Sequence, residues 1–162
     1  NILGNTQKGF NQFLETLTGG RITIAALALG ISQGSYNLAL NYSQEREAFG
    51  KKINKFQGVS FKLADMATQI EATRHMVYNT AWLKDNNNSI IKEAAMAKLF
   101  SSEVAMKITT EAIQIHGGYG YIREYNVERF FRDAKILEIG EGTSEVQRIV
   151  ISREILKSFN NQ

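Results

Sequence analysis

The chain has 162 residues, 43% of them hydrophobic, and its 19 Lys and Arg against 16 Asp and Glu leave a net charge of +3; this predicts one domain over residues 1–162 with a real core. With no cysteine and no proline, disulfides, thiolate metal sites and a cysteine nucleophile are excluded, which suits a reducing cytoplasm. The charge is mild and dispersed and makes no case for nucleic acid, while the longest weakly polar stretch, 22–31, falls short of the ~20 residues of a membrane span and follows no signal peptide.

Helical periodicity dominates, and no stretch alternates strictly between turn residues. Residues 7–17 form a first predicted helix with Phe10, Phe13, Leu14 and Leu17 on one side. Thr18-Gly19-Gly20 is expected to break it, since two adjacent glycines cost about 2 kcal/mol inside a helix. Arg21 follows the break, and residues 22–46 make a second helix with Leu27, Ile31, Leu38 and Tyr42 on one stripe and Ala25, Ala26, Ala28, Gly30 and Gly34 permitting close contact. A short basic loop, 47–53, comes next. Phe56, Val59, Leu63, Met66, Ile70, Val77 and Ala81 then keep helical spacing for some 30 residues, and the polar cluster 84–89 ends that helix. Ser89 reads as the N-cap of a third long helix through Ala97, Val104, Ile108, Ala112 and Ile115, stopped by Gly117-Gly118. A short helix over 127–134 and a last one over 145–159 complete the chain. Long antiparallel helices with short connections predict an all-α fold, an up-and-down four-helix bundle.

Glu141 stands between Gly140 and Gly142 just ahead of the last helix. The glycines permit positive φ and close approach of another molecule, and Ser144 followed by Gln147 reads as a capping box. A carboxylate on such a loop, if shielded from water, can have its pKa raised towards the working range of a general base; the plain alternative is a solvated turn residue that favours the following helix N-terminus. A di-iron bundle would carry Glu-x-x-His pairs, but Glu71 and His75 are four apart and His116 has no such partner, so no metal is expected and His116 reads as a packed loop residue. Arg46 suits bidentate phosphate contacts, Phe49 on a glycine-hinged turn can lie against a ring, and the backbone N–H groups of 116–120 can form an anion-binding nest. Each of these, taken singly, also fits an ordinary helix end.

In order along the chain, Gly19-Gly20-Arg21 before an Ala-rich helix, Glu45-Arg-Glu-Ala-Phe-Gly-Lys-Lys-Ile53, Phe56-Gln57, Ala112-Ile-Gln-Ile-His-Gly-Gly-Tyr-Gly120, Val127-Glu-Arg-Phe-Phe-Arg-Asp-Ala-Lys135 and Glu141-Gly-Thr-Ser-Glu-Val-Gln-Arg148 together resemble the acyl-CoA dehydrogenases. The resemblance covers essentially the whole chain and corresponds to the C-terminal all-helical domain of a longer enzyme, whose N-terminal helical and middle β-domains have no counterpart here; a start at Asn1 without Met agrees with an excised piece.

The resemblance implies FAD-dependent α,β-dehydrogenation of an acyl-CoA thioester, with Glu141 as the base that removes the α-proton. Some relatives carry their base before the Arg that opens the long core helix, where this chain has Gly20. Arg21 would line the active site and Gly142 approach the substrate; Thr143 and Glu145 would approach FAD in their own subunit, and Arg46, Phe49, Phe56, Gln57, Gln114, Gly117 and Gly118 would contact the FAD of a neighbour. That sharing implies a homodimer or homotetramer; the resemblance also implies an electron-transfer flavoprotein as acceptor and a cytoplasmic location, or the mitochondrial matrix in a eukaryote. An acyl-CoA oxidase is the nearer alternative; an inactive helical association module is the alternative for the chain by itself. Gly140 replaces a tyrosine common before the base, which bears on acyl preference, and Lys52 and Asn126 replace prolines, which loosens two turns. Thr18 stands where Asp is frequent and Glu145 where a neutral Gln is sometimes found.

Overall fold

The computed structural model describes residue 4 and residues 7–160. Its helices are α1 (Gly9–Glu45), α2 (Gln57–Asp85), α3 (Ile91–His116), α4 (Val127–Leu137) and α5 (Ser144–Asn160), with short 3-10 turns over Ile53–Lys55 and Gly117–Tyr121. The all-α bundle expected from periodicity is the observed fold. α3 is its centre: it packs against each of the other four helices, most extensively α1.

The α1–α3 contact is close because small residues line it. Ala25, Ala28, Ser32, Ser35 and Ala39 on α1 and Ala94, Ala97, Ser101, Ala105 and Ala112 on α3 are all fully buried, and side chains of this size allow short interaxial distances. Several buried hydroxyls return to their own helix, Ser32 Oγ donating to Ala28 O at 2.8 Å and Ser101 Oγ to Ala97 O at 2.6 Å, so burial costs little. Larger apolar side chains, Met66, Ile70 and Val77 of α2 with Val104 and Ile108 of α3, fill the main core.

Four sequence expectations are corrected. Thr18-Gly19-Gly20 does not break the first helix: α1 runs unbroken for 37 residues, because tertiary packing outweighs the local glycine penalty and because Gly20 leaves room for a side chain arriving from another part of the fold. α1 also exceeds the 22–31 stretch, with an 18-residue window of mean hydropathy 1.3 that would satisfy a membrane span by length and composition; its buried Arg21, Ser32, Ser35 and Ser43 and its contact with α3 make it the core helix of the bundle. Residues 47–52 form a hairpin, β1 (Glu47–Ala48) paired antiparallel with β2 (Lys51–Lys52), and the positive φ of both turn residues, Phe49 at 50° and Gly50 at 76°, gives the type I′ turn such hairpins favour. Finally, Ser89 does not cap α3; Ile90 holds that position without a side-chain hydrogen bond and instead packs with Ile22 and Ala94.

Gly120 shows how tightly the turn after α3 is built. A Cβ there would lie 2.7 Å from Ile113 O and 3.0 Å from His116 Cβ, and backbone atoms cannot swing aside. Gly120→Ala is expected to destabilise by about 1–3 kcal/mol, as overpacking does; thermal denaturation checks this, and an unchanged midpoint would show that the turn yields.

Candidate functional site

α4 closes with Ile139 N and Gly140 N both donating to Ile136 O, at 3.0 and 2.8 Å, and the chain then reverses through Glu141 at φ 57° and Gly142 at φ 91°. A non-glycine residue in the left-handed region costs on the order of 1 kcal/mol or more and persists only where its surroundings impose it. Here they do. The side chain of Gln147, fully buried, donates from Nε2 to Glu141 O at 3.1 Å and to Gly142 O at 2.8 Å. Lys98 Nζ, reaching from α3, donates to Gly142 O at 2.7 Å, and Ser144 N donates to Glu138 O at 3.0 Å. The capping box expected on Ser144 and Gln147 is displaced by one residue: Thr143 Oγ1 accepts from Val146 N at 3.3 Å, leaving the Gln147 amide free to brace the loop.

This loop delivers the Glu141 carboxylate onto α1. A Cβ at Gly20 would meet Glu141 Oε2 at 2.6 Å, so the glycine inside the helix is the space the carboxylate occupies. Arg21, the next residue, is buried at 7% exposure; burial lowers its pKa, and the charge of Glu141 opposes that shift. Lys98 is fully buried; burial pulls its pKa down, countered most by Glu138 and less by Glu145 and Glu141. Glu145 is held below the usual carboxylate range by its own backbone N–H and by the Thr143 hydroxyl. Glu141 itself is exposed. Among the described residues, Arg21 Nε, Ser144 Oγ and Gln147 Oε1 are buried without hydrogen-bond partners. Unpaired buried polar atoms cost about 1–3 kcal/mol each, a cost concentrated in the residues that hold this loop. Of the residues singled out in sequence, Arg21, Glu141, Gly142, Thr143 and Glu145 are thus gathered at one site.

A second group assembles at the far end of α3. Tyr42 and Arg46 from the end of α1, with Gln114, Gly117, Gly118 and Tyr119 from the end of α3 and its turn, line a cleft of about 540 Å³. Arg46 is exposed, its Cζ 5.5 Å from the Tyr119 ring centroid. His116 is packed, as the sequence suggested: its ring stacks on Tyr42 at 4.3 Å, its Nδ1 lies 2.8 Å from Ala112 O, and burial lowers its pKa and favours the neutral ring. Phe49, Phe56 and Gln57 stand outside this lining. Phe49 projects from the hairpin tip at 97% exposure with its ring edge-on to Phe56 at 6.2 Å, and Gln57 is exposed at the start of α2.

The two groups are separated along one rigid element. Lys98 and Gln114 both belong to α3, and the helical rise puts them ~24 Å apart. Sequence reasoning missed Lys98 and misread Gln147 as a cap. The signal for Lys98 was present: it is a lone charged residue within the buried run Ala94, Ala95, Ala97, Ser101 and Ser102, where an unpartnered ammonium would be costly.

Residues 7–156 match the family described as acyl-CoA dehydrogenase, C-terminal domain. The chain is 59% identical over 157 residues to a probable acyl-CoA dehydrogenase, YngJ, of Bacillus subtilis, covering 97% of this chain and 41% of that protein. It is 49% identical over 157 residues to CarC, a subunit of the caffeyl-CoA reductase-Etf complex of Acetobacterium woodii, again covering 97% and 41%. The solved structure of butyryl-CoA dehydrogenase from Megasphaera elsdenii superposes with a TM-score of 0.95 at 52% identity, over 96% of this chain and 41% of that one. The chain therefore spans about two fifths of the length of the relatives it matches, in a family that is in general FAD-dependent. Sequence, fold and relatives agree that the chain belongs to the acyl-CoA dehydrogenase family and forms the C-terminal helical domain of that family.

Proposed function

We propose that this chain is the C-terminal domain of a longer, FAD-dependent acyl-CoA dehydrogenase in which Glu141 is the catalytic base. The observation that carries the reading is the placement of the Glu141 carboxylate: a left-handed backbone, braced by Gln147 and Lys98, directs it into the space left by Gly20. A carboxylate oxygen of Glu141 takes the α-proton of the thioester. Bound FAD supplies the acceptor for the hydride leaving the β-carbon, so that loss of both leaves an α,β-double bond. Arg21, buried beside Glu141, lines the acyl end of the site, and Gly142 lets the substrate approach the backbone.

The residues fit the cofactor in type. Arg46 suits pyrophosphate charge, the exposed Gly117-Gly118 turn lets a ligand approach the backbone closely, Gln114 adds an exposed amide, and Phe49, Phe56 and Gln57 present flat apolar and polar contacts. Thr143 and Glu145 lie with Glu141 at the other end of α3. The ~24 Å between these groups supports a cofactor held by two subunits: one copy's Glu141 end and its neighbour's Arg46 end. Exposed Phe61, Tyr78 and Trp82 on α2 offer apolar surface for such a homodimer or homotetramer or for the enzyme's other domains. The relative named for its Etf complex supports an electron-transfer flavoprotein as acceptor.

A panel of acyl-CoA thioesters assayed on the full-length enzyme tests this reading, beginning with butyryl-CoA, the substrate named for the Megasphaera enzyme. Enoyl-CoA formation linked to a dye or electron-transfer flavoprotein, without oxygen uptake, is expected. Stoichiometric oxygen consumption would make the enzyme an oxidase, and no oxidation of any acyl-CoA would overturn the reading. The 162-residue chain purified by itself is expected to oligomerise yet carry little flavin, because its cofactor contacts are divided and Glu141 is exposed; a stoichiometric yellow protein by visible absorbance would contradict that.

A further inference from the structure

Lys98 is the largest fully buried side chain among the described residues, and it handles no proton in the transfer proposed above. Its ammonium ends on the carbonyl of Gly142 at 2.7 Å, where Gln147 Nε2 also donates at 2.8 Å. An ammonium taken wholly out of water is costly unless it is well paired, so an apolar side chain of similar length would fill this space at lower cost. What the lysine adds is a second, charge-assisted donor on one carbonyl oxygen.

That carbonyl belongs to a glycine, the residue with the widest backbone freedom. Gly142 has no side chain to restrict it, and a carbonyl with a single partner can rotate away. With Lys98 and Gln147 both attached, the peptide after Gly142 is fixed, while Gln147 fixes the peptide after Glu141 through Glu141 O at 3.1 Å. The two peptides flank Gly142, and the first of them is the C-terminal peptide of Glu141, so holding both restricts the positive-φ pair, Glu141 and Gly142, and with it the direction in which the Glu141 carboxylate leaves the backbone.

We propose that Lys98 is a positioning residue for the reaction, aiming the Glu141 carboxylate through the carbonyl of Gly142; this rests on Glu141 being the base. A base misplaced by about 1 Å can cost on the order of 10²-fold in rate. The loss falls on proton abstraction rather than on substrate binding.

The test compares Lys98→Met and Lys98→Gln with wild type in the FAD-loaded full-length enzyme. Lys98→Met keeps the length and removes the donor; it is expected to lower kcat at least tenfold, within about 10²-fold, with KM little changed, flavin content and thermal midpoint preserved, and a larger kinetic isotope effect for substrate deuterated at the α-carbon. Lys98→Gln, which retains N–H donors, is expected to fall between the two. Unchanged kcat in Lys98→Met overturns the proposal, as does a loss that merely follows lost flavin or a raised KM with kcat intact. If Lys98→Met does not fold, Lys98→Gln is judged by the same readouts, and failure of both to fold assigns the lysine to stability and overturns the proposal. Glu141→Gln run alongside separates the two ideas: substantial turnover there removes the base assignment itself, whereas an inactive Glu141→Gln beside a normal Lys98→Met removes only the role of Lys98.

Discussion

Glu141→Gln in the full-length enzyme is expected to abolish dye-linked acyl-CoA oxidation while FAD stays bound. The amide matches the carboxylate in size but cannot take a proton from carbon. A positioned general base contributes typically 10²–10⁴-fold, so kcat should fall by about that factor or more. The loop should survive, because the hydrogen bond that Gln147 makes to residue 141 is to its backbone carbonyl, and the left-handed conformation at φ 57° is no harder for Gln than for Glu. Flavin absorbance and thermal midpoint near wild type, together with lost turnover, are the expected result. Appreciable retained turnover would refute Glu141 as the base.

Gly20→Ala is expected to move stability and activity in opposite directions. Gly20 lies inside α1, where alanine is favoured over glycine by about 1 kcal/mol. The new Cβ would stand 2.6 Å from Glu141 Oε2 and 2.9 Å from Glu141 Cδ. Those atoms are the free end of a flexible side chain, so the fold can accept the methyl group by pushing the carboxylate aside. The thermal midpoint should hold or rise, while kcat falls by up to ~10²-fold through misplacement of the base. Steady-state kinetics beside thermal denaturation would show this, and an unchanged kcat would mean that Glu141 works from a different rotamer.

The helices that periodicity revealed well are those whose cores are built from large apolar residues. Leu63, Met66, Ile70 and Val77 on α2 repeat at helical spacing and are all buried, so their pattern and their packing carry the same information. The sequence misled where a long-range contact overrode local propensity. Gly19-Gly20 reads as a break only as long as the side chain that needs Gly20, Glu141, is unseen. The cap of α5 fell one residue from its expected place because Gln147 serves the carbonyls of residues 141 and 142 instead of the helix end. For the site, single motifs left ordinary readings open, and only their order along the chain raised them above helix ends and turns. Lys98 escaped because its partner, Gly142, lies 44 residues away, a relation that no local period encodes.

The centrality of α3 also makes it a ruler. Lys98, beneath the Glu141 loop, and Gln114, at the Arg46 cleft, ride on one uninterrupted helix, so their spacing is written in residue number, and their angular phase with it. Inserting one residue between them would turn one end by about 100° relative to the other and displace it by about 1.5 Å. Inserting seven would nearly restore the phase and lengthen the span by about 10 Å. Loops around the bundle can vary in length without disturbing this relation, whereas α3 tolerates neither a gain nor a loss there. The register between the two ends of the domain is therefore inherited from a residue count in its central helix.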